Sequence, residues 1–200
     1  MSQSKFIVFE GPDGSGQTTQ ASLLADVLTK SSKKVYLTKE PADDLDDGLI
    51  RKILKKRKLT SPETLQLYFT ANRAHHLSAQ IEPALNSGQW VISDRYFFST
   101  LAFGMLKLDY EWLWQINSHF RKPDITFFLD VPARVCMDRL QRRGGEREFF
   151  EQEKKLEQVI KNYKEVFSKK QFSNIFIING DRDIGIIAKE IWGIVNARLK

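Results

Sequence analysis

The chain alternates between short apolar runs, each ending at polar residues or glycine, and longer segments in which apolar positions recur every three or four residues. The short runs contain β-branched and aromatic residues without a regular alternation, which is typical of parallel strands buried on both faces. Five such runs are KFIVFEG, KKVYLTKEP, WVISDRY, ITFFLDV and NIFIING. The pattern therefore predicts five strands.

The segments between these runs have helical periodicity. TTQASLLADVLTK places its alanine and leucine side chains on one face. A longer helix is predicted in SPETLQLYFTANRAHHLSAQIEPAL, where Ser61 is a suitable N-cap and Pro62 suits the first turn. Two further helices are predicted in FFEQEKKLEQVIKNYKEVF and DIGIIAKEIWGIVNARL.

The alternation of strand and helix predicts an α/β fold, a doubly wound five-stranded parallel sheet with helices on both faces. No repeat, low-complexity tract or linker interrupts residues 1–200, so we expect one domain. Ligands of such sheets bind outside the carboxyl ends of the strands. The polar ends of four runs, EGPDGSG, KEP, SDR and LDV, should therefore meet along one edge and form the functional site.

The segment EGPDGSGQTTQ is close to the phosphate-binding pattern G-x-x-x-x-G-K-[ST]. Gly11, Gly16 and Thr18 fit that pattern, and Gln17 stands at the lysine position. Glycines permit positive φ and let backbone N–H groups converge on an anion, and a helix N-terminus adds more. Thr18 is expected to bind Mg²⁺ with Asp94, which ends a buried strand. The backbone N–H groups of the loop do not depend on residue 17, so phosphate binding should persist. Because Gln17 carries no charge, phosphoryl transfer should be slow unless another cation takes the place of the lysine.

Composition and charge constrain the function only loosely. The 200 residues include 31 basic and 25 acidic side chains, a net charge of +6, which suits an anionic ligand and equally permits nucleic acid. The single cysteine, Cys136, is interpreted as a buried apolar helix residue, and a reducing, cytoplasmic location is expected. His75 and His76 are interpreted as surface or packing residues, because no partner stands at metal-site spacing. Neither a signal peptide nor a membrane span is expected.

Four further segments resemble motifs of the thymidylate (dTMP) kinase family. KEP (39–41) resembles R/K-E-P, LYFTANR (67–73) resembles L-x-F-x-A-[ND]-R, and DRYFFSTLAF (94–103) resembles D-R-Y-x-x-S-x-x-A-[YF]. RRGGEREFFEQ (142–152) resembles a mobile, arginine-bearing lid ahead of a helix. The resemblance implies transfer of a phosphoryl group from ATP to dTMP with Mg²⁺, in a homodimer that binds neither nucleic acid nor membranes.

The site residues implied by the resemblance fall into four groups. The ATP-binding residues are Gly11, Pro12, Asp13, Gly14, Ser15, Gly16, Gln17, Thr18 and Thr19. The acceptor-binding residues are Glu40, Pro41, Arg51, Phe69, Arg73, Arg95, Thr100 and Phe103. The catalytic residues are Asp13, Gln17, Arg95, Arg143 and Arg147, and the metal ligands are Thr18 and Asp94.

The chemistry and spacing of the residues also support some of these roles. Phe69 and Arg73 are four residues apart and share one helix face, where a ring and a guanidinium could hold a base and its phosphate. The planar fork of Arg95 suits a phosphate dianion. By resemblance, Phe69 stacks on thymine, Phe103 packs against the deoxyribose, and Asp13 lies near the sugar and phosphate of the acceptor.

Three positions depart from the family pattern: Gln17, the segment Ala42–Asp44 where R-E-P-G-G-T is usual, and Gly104 where a polar residue often reads the base. Two other interpretations stay open. Gln17 favours a non-catalytic nucleotide-binding protein with the same fold, and the net charge favours a P-loop ATPase that acts on nucleic acid. Our hypothesis for the kinase is that Arg143 or Arg147 of the lid partly replaces the missing charge.

Overall fold

The computed structural model describes residues 4–42, 50, 53–54, 60–142 and 149–198, with the side chains of 149–152 excepted. Its strands are β1 Phe6–Glu10, β2 Val35–Lys39, β3 Trp90–Asp94, β4 Ile125–Asp130 and β5 Ile175–Asn179. They form one parallel sheet in the order β2-β3-β1-β4-β5, which confirms the five predicted strands. The chain completes β2 and β3 on one side of β1 before it crosses to β4 and β5, so β1 is central.

The helices confirm the predicted ones and add others. Those described are α1 Gln17–Lys30, α2 Pro62–His76, α3 Glu82–Asn86, α4 Phe97–Gly104, α5 Tyr110–Gln115, α6 Ala133–Arg142, α7 Phe149–Ser168 and α8 Ile184–Asn196. Helices α4 and α5 were not predicted. The polar residues inside α4 are only Ser99 and Thr100, and α5 is six residues long, so neither segment contains a helical period long enough to recognise.

The long predicted helix begins as expected but is not uniform. Ser61 Oγ accepts the N–H of Thr64 at 3.1 Å, and Pro62 occupies the first turn. A π-helical turn, Leu77–Ile81, separates α2 from α3. Pro83 has no N–H to donate to the carbonyl group four residues earlier, and the wider turn accommodates that missing bond.

Helices cover both faces of the sheet. The β1 side chains Phe6, Ile7, Val8 and Phe9 are all fully buried. Phe6 and Val8 pack with residues of α3, α4 and α7, whereas Ile7 and Phe9 pack with residues of α1 and α8. This arrangement confirms the doubly wound α/β fold and explains why the strand sequence is apolar without alternation.

The carboxyl ends of the central strands lie at one edge of the sheet. Phe9 of β1 and Lys39 of β2 both pair with Asp94 of β3, and Glu10 pairs with Phe128 of β4. The polar strand ends predicted to meet are therefore neighbours, and the loop that leaves β1 lies among them.

Candidate active site

The loop of residues 11–16 joins β1 to α1 and has the backbone of an anion-binding turn. Gly14 and Gly16 adopt φ of +86° and +97°, a region that L side chains rarely occupy. A Cβ at Gly14 would also lie 2.6 Å from the carbonyl oxygen of Cys136, so only glycine fits. Gly16, the N-cap residue of α1, provides no capping side chain. The N–H groups of the first helical turn are therefore left for a ligand.

Gln17 holds the loop closed. Its Nε2 donates to the carbonyl oxygen of Gly11 at 2.8 Å, and its side chain is buried. A second bond within the loop runs from the N–H of Ser15 to the carbonyl oxygen of Pro12 at 3.1 Å. The amide at the lysine position thus binds the first carbonyl of the loop and does not extend toward a ligand. The loop keeps its shape without a cation at this position.

Thr18 and Asp94 form an oxygen pair at the start of α1. Thr18 Oγ1 donates to Asp94 Oδ2 at 2.5 Å. Asp94 Oδ1 is buried and has no hydrogen-bond partner among the described residues. The Thr18 hydroxyl and the Asp94 carboxylate, one oxygen of which accepts no hydrogen bond, are oxygen ligands that fit Mg²⁺. Mg²⁺ takes its remaining ligands from phosphates and water. In the described part of the chain, no group of three or more His, Cys, Asp or Glu side chains could hold a metal without such help.

Arg95 reaches from the end of β3 across the loop. Its Nη2 donates to Asp13 Oδ1 at 2.7 Å, and its Nη1 donates to the Gly11 carbonyl oxygen at 3.1 Å and to Ser99 Oγ at 3.0 Å. Its guanidinium carbon lies 5.4 Å from the centre of the Phe103 ring. Burial opposes the charge, but nearby anionic groups, with Asp13 foremost, outweigh burial and raise the Arg95 pKa. Arg95 is therefore a permanent cation beside the loop.

Beneath Arg95 lies Glu10, a carboxylate that the sequence analysis did not select. Its Oε1 accepts the N–H groups of Tyr96 at 2.8 Å and Ser99 at 3.3 Å. Its Oε2 accepts the hydroxyls of Ser99 at 2.6 Å and Tyr163 at 2.9 Å. Burial raises the Glu10 pKa from 4.5 to about 7, although these bonds and the Arg95 charge oppose the shift. The sequence feature that could have indicated Glu10 is a charged residue within the run KFIVFEG, which is predicted to be buried on both faces.

Three predicted acceptor-binding residues converge on a buried ion pair. The Arg73 side chain is 2% exposed, and its Nε and Nη2 both lie 2.8 Å from Glu40 Oε2. Its Nη2 also donates to Thr100 Oγ1 at 3.0 Å, and its Nη1 donates to Asn117 Oδ1 at 2.6 Å. The structure therefore brings Glu40, Arg73 and Thr100 together. Asn117, which the sequence analysis missed, completes the set.

Side chains of α2 also fix the end of β2. His76 is fully buried, with Nδ1 at 3.3 Å from Glu40 Oε1 and Nε2 at 2.8 Å from Thr38 Oγ1. Asn72 binds both backbone groups of Ala42. Its Oδ1 accepts the Ala42 N–H at 2.9 Å, and its Nδ2 donates to the Ala42 carbonyl at 2.6 Å. His76 is thus a packing residue that also orients Glu40.

The remaining predicted residues are placed as follows. Pro41 follows Glu40 through a cis peptide bond. Phe69 on α2 and Phe103 on α4 are half-buried, which leaves part of each ring accessible to a ligand. Three predicted residues lie outside the described part of the chain: Arg51, Arg143 and Arg147.

A cleft of about 300 Å³ opens beside the phosphate loop. Its lining includes loop glycines, Thr19 and three arginine side chains, Arg139, Arg142 and Arg182. Arg139 joins the walls, because its Nη1 donates to the Ser15 carbonyl at 3.3 Å and its Nη2 to the Gly180 carbonyl at 3.0 Å. Guanidinium groups beside free backbone N–H groups suit a polyanionic ligand such as a nucleotide.

Known proteins are similar to this chain over nearly its whole length. A family model described as thymidylate kinase matches residues 9–191. A protein of Thermococcus kodakarensis is 39% identical over 97% of this chain and 98% of its own length. One of Pyrococcus horikoshii is 38% identical over 97% of each chain, and both carry the name "Probable thymidylate kinase". The chain belongs to the thymidylate kinase family.

One departure from the usual thymidylate kinase motifs has a structural explanation. Gly104 ends α4 against Leu113 of α5, and a Cβ at that position would lie 2.8 Å from the Leu113 Cδ atoms. Because Leu113 is fully buried, the close packing of the two helices excludes the larger polar residue that often stands there.

Two further expectations concern the rest of the chain. Within the described residues, no helix has the length and apolar character that crossing a membrane would need. Cys136 is buried on α6, and burial raises the pKa of its thiol to about 12. The interpretation of Cys136 as a buried helix residue is confirmed.

Proposed function

We propose that the protein transfers the γ-phosphoryl group of ATP to dTMP, forming dTDP and ADP, with Mg²⁺ as its metal ion. The observation that carries the proposal is that two pairs of functional side chains lie at the same edge of the sheet. The Thr18–Asp94 pair and the Arg95–Asp13 pair flank the phosphate loop where β1 and β3 end. A donor phosphate on the loop and an acceptor phosphate on Arg95 would face each other, as in-line transfer requires.

The donor side acts by holding phosphate oxygens with backbone N–H groups of the loop and of the first turn of α1. Thr18 and Asp94 would hold Mg²⁺, which would supply positive charge to the donor phosphates. Arg95 presents its guanidinium to the acceptor phosphate, and Asp13 fixes the direction of that guanidinium at 2.7 Å. The chain thus supplies position and charge, and no covalent intermediate is needed.

The acceptor side recognises the nucleoside. Phe69 stacks on the thymine, and Phe103 packs against the deoxyribose and disfavours a 2′-hydroxyl. Arg73 is held by Glu40, Thr100 and Asn117 and cannot rotate, so it forms a rigid polar wall of the base pocket. Because its donors are satisfied within the protein, Arg73 keeps one orientation and fixes the shape of that wall, so a base of a different shape fits less well.

We also propose that Arg143 or Arg147 of the lid provides the charge that Gln17 lacks. The support is the position of α6, which leads into that segment and whose Arg139 and Arg142 line the donor cleft. Replacing both lid arginines by alanine should abolish transfer and leave ATP affinity unchanged in a calorimetric titration. Turnover equal to that of the unsubstituted protein would contradict this assignment.

The function is tested by ADP release in a coupled assay with ATP, Mg²⁺ and one of four acceptors: dTMP, dUMP, the ribo-analogue of dTMP, or dCMP. We expect the fastest turnover with dTMP, and the ribo-analogue should react slowly because of Phe103. Asp94→Asn is the control and should lose Mg²⁺-dependent turnover while keeping its fold. ADP release with none of the four acceptors would favour a non-catalytic nucleotide-binding protein. ATP hydrolysis stimulated only by nucleic acid would favour the third interpretation.

We propose a homodimer in the cytoplasm. Exposed large apolar side chains support the dimer, because Leu67 and Tyr68 on α2 are 50% and 39% exposed. The single cysteine supports the reducing location. Sedimentation equilibrium should give a dimer for the unsubstituted protein and a monomer for Leu67→Glu. The matched control is Ile177→Glu on β5, because Ile177 is 57% exposed, similar to Leu67, and this variant is expected to remain dimeric. A monomeric unsubstituted protein would contradict the dimer.

A further inference from the structure

A buried polar cluster, formed by Glu10, Ser99 and Tyr163, lies directly beneath Arg95. We infer that Glu10 is a positioning residue that fixes the backbone and the guanidinium of Arg95 for the acceptor phosphate, acting through Ser99 and supported by Tyr163. This inference rests on the proposed function, in which Arg95 holds that phosphate. Each of its contacts is a hydrogen bond between described residues.

The backbone of Arg95 requires such support. Its φ is +75°, a left-handed conformation that L residues with long side chains rarely adopt. Hydrogen bonds hold the groups on both sides: the Arg95 N–H donates to the Phe9 carbonyl at 2.8 Å, and Ser93 Oγ donates to the Arg95 carbonyl at 2.7 Å. The next N–H, that of Tyr96, donates to Glu10 Oε1 at 2.8 Å. Glu10 therefore fixes the peptide that immediately follows the strained residue.

The same carboxylate sets the direction of the Arg95 side chain through Ser99. Ser99 Oγ donates to Glu10 Oε2 at 2.6 Å and accepts from Arg95 Nη1 at 3.0 Å. A hydroxyl has one hydrogen, so its donation to Glu10 leaves its lone pairs to face the guanidinium. A group other than an acceptor at position 10 would let the Ser99 hydrogen turn toward Arg95 and oppose this bond.

Tyr163 connects α7 to the cluster. Its hydroxyl donates to Glu10 Oε2 at 2.9 Å and lies 2.8 Å from Ser99 Oγ. Its two neighbours in α7 are also anchored: Asn162 Nδ2 donates to the Ala102 carbonyl at 2.8 Å, and Lys164 Nζ lies 2.8 Å from Asp130 Oδ2. The helix that follows the lid segment is thereby fixed against the ends of β1 and β4.

The hydrogen bonds at position 10 favour a side chain that only accepts. Glu10 receives four donors, the N–H groups of Tyr96 and Ser99 and the hydroxyls of Ser99 and Tyr163, which matches the capacity of an ionised carboxylate. An amide has the same shape but offers donors on one side. Glu10→Gln therefore keeps the volume and replaces two acceptor sites by an NH₂ group that faces two hydroxyls.

The test compares three single variants by acceptor affinity, donor affinity and thermal stability. In Glu10→Gln, the KM and the calorimetric Kd for dTMP, both measured at about pH 8 where Glu10 is ionised, should rise about tenfold or more. The reason is that Ser99 then no longer accepts from Arg95 and only Asp13 directs the guanidinium at a charged phosphate. Tyr163→Phe should raise both by about threefold or more, since one of the two hydroxyl donors is lost. The Kd for ATP should stay within about twofold in both variants, because the Gly11 carbonyl, which also accepts from the Tyr163 hydroxyl at 3.4 Å, keeps its shorter bond from Gln17 at 2.8 Å.

Tyr96→Phe is the matched control. It removes the hydroxyl of another buried tyrosine. This hydroxyl donates to the Arg121 carbonyl at 3.0 Å and does not contact the cluster, whereas the bond of Tyr96 to Glu10 is made by its backbone N–H and stays in the variant. Its Tm should fall about as much as that of Tyr163→Phe, while its dTMP affinity stays unchanged. Should Glu10→Gln fail to fold, the tyrosine pair decides alone.

Two results would overturn the inference. One is an unchanged dTMP affinity in Glu10→Gln and Tyr163→Phe with a lowered Tm, which would make the cluster a purely structural one. The other is an equal loss of dTMP affinity in the two tyrosine variants. Absence of turnover in the unsubstituted protein would count against the proposed function instead. The calorimetric comparison with dTMP would then still decide the role of Glu10.

Discussion

The proposed donor and acceptor sides of this site are built from different groups. The donor side is a backbone structure: glycines with positive φ and the first turn of α1 present N–H groups, and Gln17 only holds the Gly11 carbonyl. The acceptor side is a side-chain structure, in which Glu40, Thr100 and Asn117 hold the Arg73 guanidinium away from solvent.

The comparison explains which positions can vary. A backbone site tolerates side-chain changes that leave φ and ψ intact, so it keeps its shape with glutamine at the lysine position. A buried side-chain site does not, because removing one partner leaves another polar group without a bond in a low-dielectric surrounding.

Glu40→Ala should be the most damaging change. It leaves the Arg73 guanidinium buried without its carboxylate, and the free energy of unfolding should fall by about 3–5 kcal/mol. Urea denaturation measures this loss. Glu82→Ala is the control, because it breaks the surface pair with Arg121 at 3.1 Å, where about 1 kcal/mol at most is expected. Equal losses in the two variants would contradict the idea of a side-chain-built acceptor side.

Glu10 should make stability depend on pH. Its pKa rises from 4.5 to about 7 on folding, chiefly through burial, so the folded state binds the proton more tightly than the unfolded state. The resulting stabilisation is fully present below the unfolded pKa of 4.5 and is lost as the pH rises to about 7, a change of about 3 kcal/mol.

The measurement is the difference in unfolding free energy between the unsubstituted protein and Glu10→Gln, taken from about pH 4 to about pH 8. The unsubstituted protein should lose stability relative to the variant up to about pH 7 and run parallel to it above that. A difference that does not change across this range would contradict the raised pKa.

Gly14→Ala should break the donor side. An alanine at φ +86° is strained, and its Cβ would lie 2.6 Å from the Cys136 carbonyl oxygen. We expect a stability loss of about 2 kcal/mol and at least about a tenfold weaker ATP affinity, with dTMP affinity unchanged. Gly88→Ala is the matched control, because Gly88 has φ +82° with nothing within 4 Å of an added Cβ. ATP titrations that give the same Kd for both variants would argue against a loop shaped by its backbone.

Gln17→Ala should have the smallest effect. It removes one buried hydrogen bond, to the Gly11 carbonyl at 2.8 Å, and should cost about 1 kcal/mol of stability. ATP affinity, measured by calorimetry, should change by less than about fivefold. Complete loss of ATP binding would mean that the side chain, and not the backbone, binds the phosphates.

Much of the fold and part of the site could be predicted from the sequence. The strands could be recognised because a strand that is buried on both faces is a continuous run of apolar residues. The spacing of Gly11, Gly16 and Thr18 indicated the phosphate loop. Glu10 could not be assigned, because its partners Ser99 and Tyr163 are 89 and 153 residues away along the chain. Only the folded sheet brings them beneath Arg95.

Two other features also depended on packing. Asn117 lies 44 residues from Arg73, and no motif marks it as the partner of that guanidinium. The direction of the Gln17 side chain could not be predicted, since a glutamine at this position could either extend toward a ligand or bind a carbonyl of its own loop. The structure shows the second arrangement.

The central claim is that a backbone-built donor site supports transfer to dTMP without the usual lysine. The most direct measurement is the rate of dTDP formation from ATP and dTMP with Mg²⁺, compared between the unsubstituted protein and Gln17→Lys. The account predicts substantial turnover in the unsubstituted protein and a gain of less than about tenfold from the lysine, because other cations already serve the transferring phosphoryl group. No turnover in the unsubstituted protein, with or without rescue by the lysine, would contradict it.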